Sequence, residues 1–250
     1  ERLAVIAAHT GLGPLLGALE PAAVTTHRPY VTGDMMGLLQ TIEDTEQGRV
    51  WVDREDALRM AARGWAWTDP TATTVQAWFS DSAADVAAGA LPMLDGLLEV
   101  VDDPADVTNV ADVQSDTGLA RTARDPASVA AYGTRNPKSL SGLLHDTDEE
   151  SAAIAQWLVL SGATPRARVQ RLAFQPSRTP ALAALLQTID EGHLVKVTTG
   201  GRDLFGHVVG IGHQIGEAWT VTLDLDPSRT GWEWFTWGSS AWNGTEGWAF

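Results

Sequence analysis

The chain has 250 residues, 44% of them hydrophobic, with no cysteine and a formal net charge of −15 at pH 7 from 32 acidic and 17 basic residues. This hydrophobic content suffices for a folded core and excludes a disordered chain, while the lack of cysteine excludes disulfides and thiolate metal sites. The charge argues against direct binding to a nucleic-acid backbone, which needs clustered Lys and Arg, and no apolar run of about 18 residues predicts a membrane-spanning helix.

The first 47 residues are rich in Ala and Leu and are predicted to be mostly helical. A glycine at position 48 should end the last of these helices, and Arg49 to Asp53 is predicted as a short strand. The apolar residues at helical spacing before that glycine are Met35, Leu38, Leu39 and Ile42.

Two tryptophans at a spacing of two, Trp65 and Trp67, predict a strand with one aromatic face that belongs to the core. Asp69-Pro70 behind them is typical of a turn. Residues 81 to 90 are small and acidic, which leaves a loop and a short helix both open.

The middle of the chain predicts strands around a turn. Leu97 to Val101, Val107 to Gln114 and Leu119 to Thr122 surround the turn residues Ser115 to Gly118 and indicate a hairpin in a sheet. Residues 126 to 132 follow an Asp-Pro step and predict a short helix that ends at a glycine.

Residues 147 to 227 predict one compact unit of helix, strand, helix and three strands. Thr147 and Glu150 form a capping-box pattern, so a helix should begin there. Arg168 to Phe174 is predicted as a strand, and Thr179-Pro180 should begin the second helix. That helix carries an apolar stripe of Leu182, Leu185, Leu186 and Ile189, with a glycine at 192 to end it.

The period then changes to two, which predicts strands at 193–199, 204–215 and 219–226. In the last strand Trp219, Val221, Leu223 and Leu225 alternate with Thr and Asp, so one face should be core and the other should meet solvent or a partner. The residues that we predict to pack in the core are Trp157, Leu182, Leu186, Val221, Leu223 and Leu225.

The sequence offers little catalytic chemistry. Its six histidines form no HExxH motif and no pair at i, i+4; His207 and His213 should share a strand face about 20 Å apart, too far for one metal ion. Glycines at 206, 210 and 212 lack the strand-to-helix context of a dinucleotide site and are better explained as bends or bulges. We therefore predict no enzyme activity, no metal and no cofactor.

The last 24 residues carry five of the eleven tryptophans. A terminal hairpin that closes over the domain, a contact with a neighbouring subunit and a sugar-stacking face all fit this pattern. The candidate subunit-contact residues are Trp234, Trp237 and Trp242.

Four segments, LLHDTDEESAAIAQWLVL, PRARVQRLAFQP, TPALAALLQTIDEGHLVKV and HVVGIGHQIGEAWTVTLDLDPS, occur in this order. Together they resemble minor tail proteins, of the tail-tip or baseplate-hub type, from long-tailed bacteriophages that infect actinobacteria. The resemblance covers roughly residues 95 to 235 and departs at Glu191 and in the Trp-rich ending. Its motifs are structural rather than catalytic.

The resemblance implies an α+β protein with β-barrel or sandwich-like modules flanked by helices. We expect a helix-plus-hairpin region at 1–95, a hub-like domain at 96–230 and a Trp-rich hairpin at 231–250. By the same resemblance the chain should be a virion component, assembled in the host cytoplasm with other tail proteins. It should form a homo-oligomeric ring, a trimer or alternatively a hexamer, whose acidic lumen lets DNA pass. The alternative is a receptor-binding or cell-wall glycan-binding module of the tail.

Overall fold

The computed structural model describes residues 16–19, 35–94, 96–101, 107–227, 234–235 and 247–248. The helices of this part are α1 (Met35–Glu46), α2 (Trp65–Thr68), α3 (Pro70–Thr73), α4 (Ala83–Ala87), α5 (Pro126–Tyr132), α6 (Asp148–Gly162) and α7 (Pro180–Leu185). Its strands are β1 (Leu16–Leu19), β2 (Arg49–Val52), β3 (Leu58–Ala61), β4 (Val75–Ser80), β5 (Leu91–Pro92), β6 (Glu99–Val101), β7 (Val110–Ser115), β8 (Arg121–Arg124), β9 (Lys138–Leu143), β10 (Arg168–Phe174), β11 (Leu194–Thr199), β12 (Arg202–Ile215), β13 (Trp219–Pro227), β14 (Trp234–Phe235) and β15 (Gly247–Trp248).

A seven-stranded sheet in the order β5-β4-β11-β12-β13-β10-β6 forms the centre of the molecule. Each adjacent pair from β11 through β12, β13 and β10 to β6 is antiparallel, whereas β4 runs parallel to both β11 and β5. The sheet is open, because its first and last strands, β5 and β6, do not pair with each other. The α+β class is confirmed, and within the described ranges the strands close no barrel.

The main core lies on one face of this sheet. Alternation in β13 directs Val221, Leu223 and Leu225 to that face, where each is at most 5% exposed. Helix α7 covers them, and Thr179 caps its first turn by accepting a hydrogen bond from the Leu182 amide at 3.2 Å. We call this side of the sheet the core face; the buried residues that complete it include Phe79, Leu172, Phe174, Val195, Val197 and Val208.

Helix α6 packs on a smaller sheet in the order β8-β7-β9. The predicted capping box is present, since Thr147 accepts a hydrogen bond from the Glu150 amide and Glu150 accepts one from the Thr147 amide. Ile154 of α6 is fully buried against Val113 of β7. The predicted hairpin is confirmed for β7 and β8, but β6, which was predicted to join it, belongs to the seven-stranded sheet.

The N-terminal elements form a third layer, in which α1 buries Leu39 and Ile42 against β3. The α1 helix is confirmed. Most of the helical prediction for residues 1–34 lies outside the described residues. Within it Leu16–Leu19 is a strand that pairs parallel with β3, so these four residues are not helical. An added Cβ on Gly48 would lie 2.0 Å from the Ala61 carbonyl oxygen, so this turn between α1 and β2 requires glycine.

The strand predicted for Trp65 and Trp67 is wrong, because Trp65–Thr68 is a one-turn helix. Asp69 directly behind it caps the next helix, accepting a hydrogen bond from the Thr71 amide at 2.7 Å. Four residues are too few for a spacing of two to distinguish a strand from a turn of helix, and tertiary packing decides. The second predicted helix is also shorter than expected, since α7 ends at Leu185 although Ile189 still reaches the core.

His207 and His213 lie on opposite faces of the sheet, and not on one face as predicted. In the ladder with β13, His207 pairs with Asp226 and His213 pairs with Val221. The two histidines are six residues apart on β12, but their partners are five residues apart on β13. The difference is a bulge at Val209, where the register shifts between Val208 and Gly210. The predicted bulge in this glycine-rich run is thus confirmed, and it reverses the alternation behind it.

Candidate assembly surface

The face of the seven-stranded sheet opposite the core carries an ordered polar cluster on β4, β11 and β12. Lys196 Nζ lies 2.9 Å from Asp203 Oδ2 and 4.8 Å from the centroid of the Trp78 ring. Trp78 Nε1 donates to Thr198 Oγ1 at 2.8 Å, and Thr198 Oγ1 donates to Asp203 Oδ1 at 2.7 Å. Hydrogen bonds from Lys196 and Thr198 lower the pKa of Asp203. The polar groups of this cluster therefore satisfy one another.

A second cluster on the same face joins β13, β10 and β6. Arg171 Nε lies 2.7 Å from Asp224 Oδ1, and Arg171 Nη1 lies 4.0 Å from Glu99 Oε2. The hydrogen bond to Asp224 is the main cause that raises the pKa of Arg171. On the charged face predicted for β13, Asp224 is thus paired with Arg171 of the same chain, whereas Asp226 is exposed.

The β12–β13 hairpin extends beyond the strands on either side of it. Strand β11 pairs with residues 202–207 of β12, and β10 pairs with β13 only as far as Val221. At the hairpin tip Ile215 is 84% exposed and Trp219 is 42% exposed. Trp219 Nε1 donates to His213 Nδ1 at 3.3 Å. The tip therefore presents apolar side chains to whatever lies next to this protein.

Beside this hairpin is a cleft of about 250 Å³, built from three segments that are distant in sequence. It is walled by the turn after β2, by the loop between α7 and β11, and by the extending part of β12 on the core-face side. The residues that line it are Val52, Asp53, Arg54, Leu186, Ile189, Asp190, Glu191, Ile211 and His213.

Two of the cleft carboxylates differ in how well they are compensated. Burial acts to raise the pKa of Asp53, but hydrogen bonds from the Ala57 amide, at 2.8 Å, and from the Arg59 side chain outweigh it, so the pKa is lowered. Burial raises the pKa of Glu191, and the nearby Asp190 adds to this effect against the attraction of Arg49, whose Nη2 is 4.0 Å away. Of these two carboxylates, Glu191 is therefore the less well compensated.

The structure places five of the predicted core residues together. Leu182, Val221, Leu223 and Leu225 are buried on the core face, and Leu186 packs against them while lining the cleft. Trp157 lies elsewhere, on α6, where it meets Trp67 edge-on with ring centroids 5.2 Å apart. Of the predicted subunit contacts, Trp234 lies in β14, which pairs with β15, whereas Trp237 and Trp242 lie outside the described residues.

The described residues contain no group of three or more His, Asp or Glu placed to hold a metal ion. Among the helices in the described part of the chain, none is both long enough and apolar enough to cross a membrane.

Solved structures that share this architecture include tail proteins. The tail protein from Neisseria meningitidis MC58 superposes with a TM-score of 0.61 and 13% identity over 90% of this chain. The 43 kDa tail protein of prophage MuSo2 from Shewanella oneidensis gives a TM-score of 0.55 and 11% identity, also over 90% of this chain. The chain shares the fold of phage tail proteins. A chain of the virion of the native gene transfer agent particle matches 79% of it, with a TM-score of 0.50 and 17% identity.

The tail-protein fold is matched over part of those proteins' lengths. This chain spans 64% of the Neisseria chain, 65% of the Shewanella chain and 40% of the gene transfer agent chain. No protein-family model and no curated protein matches the sequence.

Proposed function

We propose that this chain is a structural, non-enzymatic component of a bacteriophage tail, a minor tail protein of the tail-tip or hub type. The observation that carries the proposal is the superposition on the Neisseria tail protein across 90% of this chain. The motifs at residues 143–228 that resemble minor tail proteins of actinobacterial phages support the finer assignment. The chain would assemble in the host cytoplasm and take its place in the virion.

In this proposal the protomers form a ring, a trimer or alternatively a hexamer, beneath the tail tube. Two features support a ring: an open seven-stranded sheet, whose edges a neighbour can cover, and exposed apolar side chains at the hairpin tip. The net charge of −15 suits a lumen past which DNA slides without binding, since like charges repel over a Debye length of about 8 to 10 Å. Trp234, Trp237 and Trp242 would contact the neighbouring subunit.

Labelled antibodies against the chain test the proposed place in the virion. On purified virions of the phage that encodes the chain, electron microscopy should show label at the distal end of the tail. Label on the head, or absence of the chain from virions by mass spectrometry, would refute the tail-tip assignment.

Light scattering across a concentration series tests the ring. We expect the mass of a discrete trimer, with a discrete hexamer as the alternative, and a monomer at every concentration would contradict ring formation by the chain alone. Replacing Trp234, Trp237 and Trp242 together by Ser should give a monomer. Tyr132→Ser is the matched control, since it removes a 37% exposed aromatic ring on α5 and should leave the mass unchanged.

A further inference from the structure

The extending part of β12 has an unpaired edge. Strand β11 ends its pairing at His207, and the His193 carbonyl and Gly192 amide bond Val208 at 2.9 and 2.8 Å. From Gly210 to Ile215, β12 has β13 on one side and no strand of the described chain on the other. Alternate residues of such an edge direct their backbone N–H and C=O groups outward, where another strand can bind them.

This edge carries none of the residue types that natural sheets use to prevent pairing. The sequence Gly-Ile-Gly-His-Gln-Ile contains no Lys, no Asp or Glu and no Pro. An added Cβ on Gly210 or Gly212 would meet only Asp224 and Thr222 of β13 within 4 Å, so the sheet face opposite the core is open at these two residues.

The cleft lies beside this same edge. Ile211 and His213, which line it, belong to the unpaired part of β12. Side chains of an added strand that stand next to Ile211 and His213 would point to the same side of the sheet, and therefore into the cleft. The edge supplies backbone partners and the cleft supplies side-chain space, which together are the elements of strand addition.

The cleft lining indicates which side chains would enter. Leu186, Ile189 and Ile211 offer apolar surface, and the charged groups of the lining are three carboxylates and one guanidinium, those of Asp53, Asp190, Glu191 and Arg54. Lys and Arg match such a site, because their alkyl stems pack on apolar groups while their charged ends reach carboxylates. Glu191 has one cation nearby, Arg49 at 4.0 Å, and a basic side chain in the cleft would add a second.

We infer that the β12 edge from Gly210 to Ile215, with the adjoining cleft, binds an extended segment of another protein that carries Lys or Arg at alternate positions. The segment adds to the sheet as a strand antiparallel or parallel to β12, and its basic side chains occupy the cleft. A second copy of this chain is the poorer partner, since its net charge is −15. The inference rests on the proposed function in one respect: the partner would be a neighbouring tail component.

A synthetic peptide tests the site directly. The probe is an eight-residue peptide that alternates Lys and Val, and the controls are the same peptide with Glu for Lys and one with the Lys and Val residues in separate blocks. With the full 250-residue chain, NMR amide exchange should slow at residues 210–215 on adding the alternating Lys peptide. Neither control should produce this protection.

Three variants test whether the charge of Glu191 contributes to peptide binding. Glu191→Lys should weaken binding of the alternating Lys peptide by about tenfold, because it replaces an attraction in the cleft by a repulsion. Glu217→Lys is the matched control: it makes the same change in net charge at an exposed position in the hairpin turn, and it should weaken binding less than about twofold. Glu191→Gln keeps the side-chain shape and should give an intermediate loss, which separates the charge effect from misfolding.

Several results would overturn the inference. These are equal binding of the Glu peptide, no peptide binding at millimolar concentration, and equal effects of Glu191→Lys and Glu217→Lys. A fourth is slow exchange, in the chain without peptide, of those amides at 210–215 that do not bond β13, which would mean that the edge is already covered. Self-association through this edge would replace the basic partner by a second copy. If the chain binds the peptide at the edge but is absent from virions, the binding site stands and the proposed function is refuted. If antibodies label the tail tip but no peptide binds, the proposed function stands and the binding site is refuted.

Discussion

The imidazole of His207 packs against the indole of Trp65, with ring centroids 4.7 Å apart and ring planes inclined by 60°. The same imidazole places Nε2 3.0 Å from the carbonyl oxygen of Ala72, so Nε2 is the donor. His207 and Ala72 are both buried. One side chain of the central sheet thus contacts both short helices, α2 and α3, which cover this part of the sheet face opposite the core.

Replacing His207 by Ala should destabilise the fold by about 2 to 3 kcal/mol. The substitution leaves the buried Ala72 carbonyl without its donor and opens a cavity beside Trp65. The free energy of unfolding from urea titration checks this value. His213→Ala is the control on the same strand; its ring is exposed, so the loss should stay within about 0.5 kcal/mol. Equal losses for both variants would show that the contacts with α2 and α3 contribute nothing.

Asn109 provides a second buried polar connection. Its Nδ2 donates to the Gly133 carbonyl at 2.7 Å and to Ser128 Oγ at 3.2 Å, and its Oδ1 accepts from the Arg135 amide at 2.9 Å. The residue is fully buried. These bonds tie the start of β7 to both ends of the segment that contains α5.

We therefore expect Asn109→Ala to cost about 2 to 3 kcal/mol, because it empties a fully buried site and removes three hydrogen bonds at once. Asn109→Asp should cost nearly as much, since a carboxylate can still accept from Arg135 but cannot donate to Gly133. Urea titration measures both. Gln76→Ala, which removes an exposed amide bonded only to the nearby Thr74 carbonyl, is the control and should change the unfolding free energy by less than about 0.5 kcal/mol. A mild effect of Asn109→Ala would mean that water replaces the lost bonds.

Local patterns predicted the elements whose signals are contained in a few neighbouring residues. The α6 capping box needs only Thr147 and Glu150, and the alternation of β13 over Val221, Leu223 and Leu225 needs only a period of two. The apolar stripe that ends at Ile189 is buried as well, although α7 itself stops at Leu185. In each case the spacing of the side chains in the sequence matches their arrangement in the structure.

The remainder depends on contacts that no short window contains. Trp65 is helical because it packs on His207, which is 142 residues away in sequence, and its spacing of two to Trp67 carried no strand information. The bulge at Val209 was indicated only by glycines, yet it decides on which face His213 lies. The cleft joins residues 52–54, 186–191 and 211–213, and no single segment signals it.

Truncating a core side chain should show how much the core of the central sheet contributes to the free energy of unfolding. Leu223 is fully buried between β10 and β12, and Leu223→Ala should lower the unfolding free energy by about 2 to 5 kcal/mol, from lost transfer energy and the cavity left behind. Leu160→Ala, on α6 at 60% exposure, removes the same atoms from solvent and should lie within about 0.5 kcal/mol of the parent. Thermal unfolding by circular dichroism compares the two. A Leu223→Ala loss no larger than the control would contradict the position of the core.

Stability should also fall with mild acid, through His145. The side chain is 3% exposed, Nε2 lies 2.6 Å from Ser151 Oγ, and Nδ1 has no hydrogen-bond partner. Burial lowers the pKa of His145, against the opposing effect of Glu150, Asp146 and Asp148, while Arg63 adds to the lowering. The folded state therefore holds this imidazole neutral at a pH where the unfolded chain, with an ordinary pKa near 6.5, already binds a proton.

Below about pH 6.5 the unfolded state binds more protons than the folded state. With respect to this histidine, the unfolding free energy is therefore highest above about pH 6.5 and decreases as the pH falls toward the lowered pKa of the folded state. Burial lowers the pKa of His193 too, which adds to the same trend. Urea titrations at about pH 7.5 and 5.5 should show the decrease, and His145→Gln should reduce it, since Gln does not titrate. Gln76→Ala, which changes no titrating group, is the control and should leave the decrease unchanged. A pH dependence that His145→Gln does not alter would assign the effect to other groups.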